Sequence, residues 1–455
     1  MLKRILESVC LGDSAGAPYE FYAGRQVYDL TTFDFQPRHV FYFNRRFPQK
    51  SMKIAPPGFL TDDSEMTMCA FYACIFLIQN CETFAREMLI EMTDDHVDLL
   101  RDELLFQYQW WASTSPPFMG RNTRKLFTLN SKKLDSIQNP LESSSQRVKC
   151  KKYLRNRYET LREKRFPTRK EEEYALSNGS LMRCTGLLPL LLFNSSFSQI
   201  EKVVEADAFL SNPNRTTVQF TTIYLKCILT LSGLLHSSIT QQEYIPPQEY
   251  FDVIKNVVGE YTEYLVSVSS ADSEDSDESI LEKEVGLWCS RVFDLNFTLV
   301  QDPKKKGYIA YAFFYALRAY MSSVSSITFK ETTVPSGRDC LKWVIQQGGD
   351  TDTNGAIAGG LLGSFLDMSD IFYPLASSLG SSNLSGDVSD AYDVIDVKDI
   401  PLETFMEVEY RHTTHGECFS YRTERPEIYS FDRFLYNIKK MDNCFSASHQ
   451  TKCSE

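Results

Sequence analysis

The chain has 455 residues, with 48 Lys and Arg against 60 Asp and Glu and a formal net charge of −12. A hydrophobic share of 43%, with 13% aromatics, excludes a disordered polymer and supplies a sizeable core. The acidic balance argues against a phosphate-backbone ligand, so nucleic-acid binding is not expected.

At the start, MLKRILESVCLGD places Glu7 and Asp13 where a secretory leader needs an unbroken apolar run. The best apolar run, residues 69–78, has the length of a core helix and not of a membrane span. These features predict an intracellular, cytoplasmic protein with no membrane contact. Twelve cysteines are scattered without a CxxC pair and read as reduced, buried thiols. His412 and His415 form an HxxH pair, a weak zinc signal that is more often a polar loop.

In chain order, Leu2, Ile5, Leu6 and Val9 recur at helical spacing, and Gly12, Gly16 and Pro18 are expected to break that helix into a turn ending at Glu20. A second helix is predicted over 62–79, with an acidic first turn. Further helical stretches fall near 94–111, 181–192, 200–210, 218–235 and 308–320. Strand alternation is scarce, so the predicted class is all-α. Three segments read as additions: a basic stretch within 131–172, an acidic loop at 267–284, and a C-terminal extension over 376–455 that leaves a main domain of 1–375. The basic stretch, KCKKYLRNRYETLREKRFPTRK, invites a polyanion reading. Its charges are interleaved with Glu159, Glu163 and Glu171 and no aromatic platform accompanies them, so a solvated helix or loop is preferred.

Four segments combine small residues with carboxylates or a loop amide: GDSAGAPYEF from Gly12, LTDDSEM from Leu60, SNGSLMR from Ser177 and GGDTDTNGAIAGG from Gly348. In the second, Thr61, Asp62 and Asp63 open a helix. Capping with Glu65 in a box accounts for them, as does a set of hard oxygen ligands for Mg²⁺. The fourth tips the balance. Asp350 and Asp352 alternate with Thr351 and Thr353, ahead of a small-residue helix whose value lies in close backbone approach. Acidic clusters that far apart in sequence would repel on meeting, and a divalent metal pair is the physical reason they could meet. The N–H groups of Asn178, Gly179 and Ser180, just before Arg183, could hold a phosphate, although an ordinary helix start fits equally well. Haloacid-dehalogenase-like phosphatases place their DxD after an N-terminal strand, and nucleotide-sugar transferases use an α/β scaffold. Neither context is present.

Together and in this order, the four segments resemble the ADP-ribosylglycohydrolase family, in particular the branch around the dinitrogenase-reductase-activating glycohydrolase. The resemblance implies an all-α orthogonal bundle around two Mg²⁺ ions, with Mn²⁺ as an alternative. It implies Thr61, Asp62, Asp63, Asp350, Asp352 and Thr353 as metal ligands, and Glu20 or Asp63 as the carboxylate that accepts a proton from water. Asn178, Gly179 and Ser180 are implied at the ADP-ribose phosphates. Gly120 and Asn122 lie in the stretch that corresponds to a GNT-like substrate loop. The implied activity is hydrolysis of the bond between ADP-ribose and a protein side chain or small acceptor by a monomer. The alternatives are an ADP-ribose-binding protein without turnover and a metal phosphoesterase. Two departures bear on the acceptor. Asn212 stands where many members have His, and the residues before Gly120 lack the acid of arginine-directed members.

Overall fold

The computed structural model describes residues 1–20, 60–81, 91–128, 137–168, 175–240, 246–269, 281–328 and 336–366, less a few positions within them, together with 84, 134, 434, 437 and 438. Among the described residues there are thirteen α-helices and no strand; Ser177 and Tyr308 form a single antiparallel bridge. The all-α expectation holds.

Helix α1 (Leu2–Gly16) is longer than predicted. Gly12 does not end it. Instead Gly12 and Gly16 bring its backbone against α13 (Thr351–Leu362): a methyl added at Gly12 would fall on the Gly355 carbonyl, and one at Gly16 on the Thr351 carbonyl. Small residues here serve helix-to-helix approach and not a turn, as expected for α13 and unexpected for α1. A 3-10 turn, Ala17–Tyr19, then delivers Glu20.

Helix α2 (Asp62–Asn80) is buried on nearly all sides and packs against α3 (Asp94–Ser113). The short α4 (Arg121–Phe127) and the basic α5 (Ser145–Arg165) follow. The basic stretch is therefore a helix. Arg147, Cys150, Leu154 and Tyr158 form its buried stripe, and the remaining positions face outward or sit at the margin. Residues 181–192 are not one helix as predicted. They form an irregular turn, a 3-10 segment Cys184–Leu187 and one α-turn, α6 (Leu188–Leu191), because Gly186 and Pro189 interrupt the run.

The remaining helices are α7 (Phe197–Ala208), α8 (Arg215–Thr240), α9 (Pro247–Ser269), α10 (Lys283–Phe293), α11 (Ile309–Thr328) and α12 (Gly337–Gln346). Its apolar content makes α8 long and apolar enough to cross a membrane over Arg215–Ser238, a stretch that the reading of apolar runs overlooked because threonines, serines and Lys226 interrupt it. Two thirds of its apolar window is buried inside the protein, as in a core helix. At the far end of the chain, Phe434 and Ile438 are fully buried, and the Phe434 ring meets Phe71 and Tyr72 of α2 edge-on at 5.3 and 6.1 Å. His412 and His415 lie outside the described residues, as does most of 376–455. The nine described cysteines are free thiols, eight of them buried.

Candidate metal centre

Three chain segments meet where α1, α2 and α13 converge. Asp13 comes from the last turn of α1, Glu20 from the end of the 3-10 turn, Asp62 and Asp63 from the first turn of α2, and Asp350 and Asp352 from the start of α13. Asp13, Asp63 and Asp352 each offer an oxygen within 4.8 Å of the other two; Glu20, Asp350 and Asp352 do the same. Asp352 belongs to both groups. Oxygens on opposite sides of a Mg²⁺ ion stand about 4.2 Å apart, so each trio is of the right size for one cation.

The entry of α2 is capped from another helix. Thr61 is the N-cap and accepts the Asp63 N–H at 3.3 Å. The Thr61 and Ser64 N–H groups both donate to Asp13 Oδ2, at 2.9 and 3.2 Å, and Ser64 Oγ donates to the same oxygen. The predicted capping box with Glu65 does not form: Glu65 instead accepts the Trp111 indole N–H at 2.6 Å. An acid from α1 has taken over the capping role. The Thr61 hydroxyl stands 2.7 Å from Asp13 Oδ1 and 3.0 Å from Asp63 Oδ2, yet it carries a single hydrogen. One of those two oxygens therefore needs a proton or a cation.

Asp63 Oδ1 is buried and has no hydrogen-bond partner. Nor does any described Lys or Arg form an ion pair with the six carboxylates. Burial is the main reason their acidities shift. It pushes Asp13 up to about 6 and Asp62 up to about 7, and it raises Asp350. Glu20, Asp63 and Asp352 are held well above the carboxylate range, first by burial and then by their acidic neighbours. A buried oxygen without a donor, in a set of hard oxygen ligands that repel one another, fits a divalent cation.

The turn before Asp350 is built for this position. Gly348 and Gly349 have φ of +72° and +83°, which a side chain would strain. Gln301 lies over that turn, and its amide donates toward Tyr315 Oη at 2.8 Å and the Gln347 and Gly348 carbonyls at 3.2 Å. Thr351 Oγ1 donates to the Gly16 carbonyl at 2.8 Å, and the Thr353 N–H donates to Asp352 Oδ1 at 2.8 Å.

The other expected residues surround this cluster. Asn178 donates its side-chain amide to Asp350 Oδ2 at 2.8 Å, and its backbone N–H to the Gly307 carbonyl at 3.0 Å. A methyl at Gly307 would stand 3.0 Å from Asp350 Oδ2, close enough that the carboxylate would have to shift. The Gly179 carbonyl accepts from Arg183 at 2.8 Å. Ser180 Oγ is buried without a partner. Asp62 stands at the margin, half-buried, and accepts the Gly120 N–H at 3.0 Å. Asn122 is turned toward α5, its side-chain oxygen held by Arg165 at 2.7 and 3.0 Å.

Two supports were not foreseen from sequence as such. Arg183 is fully buried and anchors the 178–183 turn, with Nε 3.0 Å from both Asp207 oxygens and the Tyr108 hydroxyl 2.6 Å from Asp207. Asn212 donates to the Ala175 and Ser177 carbonyls at 2.9 and 3.1 Å and so fixes the segment leading into Asn178. Asp13 and Gly307 were also missed. Asp13 sits in a GDSAG string that reads as a signal only when the helix is known to continue through Gly12, and Gly307 has no local signal at all.

A family model described as ADP-ribosylglycohydrolase matches residues 3–395. No curated protein matches the chain. The match spans all four sequence segments and every carboxylate gathered at the convergence of α1, α2 and α13, and the chain belongs to the ADP-ribosylglycohydrolase family.

Proposed function

We propose that the protein is a magnesium-dependent hydrolase that cleaves the glycosidic bond between ADP-ribose and a modified protein side chain or small acceptor, releasing ADP-ribose. The family is one of metal-dependent hydrolases acting on ADP-ribosylated substrates. The observation that carries the finer reading is the convergence of six carboxylates with no paired Lys or Arg among the described residues, one of them with a buried oxygen that has no donor. On the motifs, the dinitrogenase-reductase-activating branch is the nearest in kind. We further propose that it acts in the cytoplasm as a monomer.

Two Mg²⁺ ions would be held by Thr61, Asp62, Asp63, Asp350, Asp352 and Thr353, with Asp352 common to both carboxylate groups and Asp13 fixing Thr61; Mn²⁺ suits the same ligands. When bound, the ions supply Lewis-acid polarisation of a water and fix the ribose hydroxyls. The protein's own residues do the rest. Asn178 holds Asp350 in register and, with Gly179 and Ser180, faces the phosphates; Ser180 Oγ has no other partner to satisfy it. Of the two candidate bases, Glu20 fits better than Asp63. Glu20 is half-buried, while Asp63 is buried and shares Thr61. Glu20 would accept a proton of the attacking water as the anomeric bond breaks and return it to the departing acceptor, and a cation bound beside it would favour its ionised form.

The test is incubation of the purified protein with ADP-ribosylated arginine, ADP-ribosylated serine and O-acetyl-ADP-ribose, with and without Mg²⁺. Magnesium-dependent release of ADP-ribose from at least one is expected. Release from none, together with ADP-ribose binding indifferent to EDTA, would establish the binding-only alternative; phosphate or AMP as product would establish the phosphoesterase.

A further inference from the structure

The chain is acidic, yet one surface is strongly basic. Helix α5 carries nine Lys and Arg against two Glu, a net of +7 over 21 residues, and α4 adds three basic residues and no acid. The two helices run side by side in opposite directions. Arg165 at the end of α5 holds Asn122 at the start of α4, and Tyr158, two turns back, stacks on Phe127 at the end of α4 with ring centroids 6.4 Å apart.

Part of this charge is spent inside the fold. Arg147 and Lys151 pair with Glu103, and Arg155 with Asp102 at 3.1 Å. Arg121, Lys125, Lys149, Lys152, Arg157 and Lys164 are exposed, and none forms an ion pair among the described residues. Like charge on adjacent helices raises a positive potential, and among the described residues of this face only Glu159 and Glu163 oppose it. The surface reaches the carboxylate centre directly, since the N-cap of α4, Gly120, donates its N–H to Asp62.

We infer that the α4–α5 face docks an acidic segment of the protein that carries the ADP-ribose. Naming that protein as the partner rests on the proposed function; the charge complementarity does not. Two observations choose an acidic peptide over nucleic acid. Tyr153 is the one exposed aromatic side chain on the described parts of α4 and α5, which is too few for stacked bases. The patch is also bounded: its exposed basic residues on α5 run from Lys149 to Lys164, about 22 Å of helix, the length of six or seven extended residues. A long polyanion would extend past it, whereas a few Asp or Glu side chains flanking the modified residue would not.

The test uses the full-length protein and fluorescence anisotropy with a labelled decapeptide of alternating Glu and Ser, beside the same peptide with Gln for Glu. The acidic peptide is expected to bind at low salt at least about tenfold more tightly than the Gln peptide and to weaken as salt rises. The triple variant K125E/R157E/K164E should lose about tenfold or more of that affinity, while K255E/K283E, remote in sequence and equal in kind, should not. Equal binding of the two peptides, or wild-type affinity in the triple variant, would overturn the inference. So would tighter binding of an oligouridylate of equal charge. Loss of peptide binding beside intact ADP-ribose release defeats this inference alone; peptide binding without release defeats the proposed function alone.

Discussion

Two buried acidic sites in this protein solve the same problem in opposite ways. On α3, Glu103 is fully buried and receives Arg147 at 3.0 Å and Lys151, while the Arg147 guanidinium lies over the Phe76 and Phe106 rings at 3.5 and 4.3 Å from their centroids. Asp207 is treated alike by Arg183. At the convergence of α1, α2 and α13, six carboxylates gather with hydroxyls, amides and each other, and no Lys or Arg among the described residues pairs with them. Where a buried acid serves the fold, the chain supplies the cation. At the centre the described residues supply none, and that contrast marks it out better than the number of acids does.

The largest test of this contrast is Asp352→Ala, which removes the carboxylate shared by both trios. Magnesium-dependent ADP-ribose release should fall by roughly a hundredfold or more, while circular dichroism shows a folded protein whose melting temperature in EDTA is no lower than wild type. Retained activity would break the metal assignment.

The opposite outcome is expected at the paired site. Glu103→Gln leaves Arg147 buried without its charge partner and should cost about 3 to 5 kcal/mol in urea unfolding, with Mg²⁺ affinity by calorimetry unchanged. Gly12→Ala separates packing from charge: the added methyl meets the Gly355 carbonyl, α1 must move off α13, and a loss of about 3 kcal/mol is expected together with weaker Mg²⁺ binding.

A smaller effect is expected from Gln301→Leu, which unclamps the Gly348–Gly349 turn without touching a carboxylate. Mg²⁺ affinity should drop about tenfold, equivalent to about 1.4 kcal/mol, with little change in the melting temperature of the metal-free protein. An unaltered affinity would show that the glycines hold the turn unaided.

The smallest effect concerns pH. Raised carboxyl groups bind protons more tightly in the folded than in the unfolded chain, so between the ordinary carboxylate range and about 7 their contribution to stability falls as pH rises. In EDTA, wild type should therefore lose ground relative to Asp62→Asn as pH goes from 5 to 8 on melting curves, by a few degrees at about 1 kcal/mol. Saturating Mg²⁺ should remove the difference in wild type. A flat difference in EDTA would mean that the carboxylates are compensated by groups within the fold.

Much of the architecture was legible in the sequence because helical periodicity is local. The apolar spacing of α1, α2, α8 and α11 and the small-residue run of α13 show in any short window. What failed was the reading of single residues whose role depends on a neighbour. Gly12 reads as a breaker until α13 is laid against it, Glu65 reads as a cap until Trp111 takes it, and 181–192 reads as one helix until Gly186 meets the Thr67 carbonyl of α2. The basic stretch reads as a solvated segment, and only the docking of Cys150, Leu154 and Tyr158 shows it to be a helix laid on the core.

The sequence by itself determined the all-α class, the four segments and the chemical type of the site, because oxygen-bearing side chains at helix starts are a property of short strings of residues. The tertiary structure decided which acids meet. Asp13 joined the set because α1 runs on through Gly12, Asn122 is held away by Arg165, and Asn212 became a support for the 175–178 segment. Those outcomes depend on distances between segments hundreds of residues apart, which are fixed by backbone contact at Gly12, Gly16 and Gly355 and by the burial that gathers the carboxylates at one place.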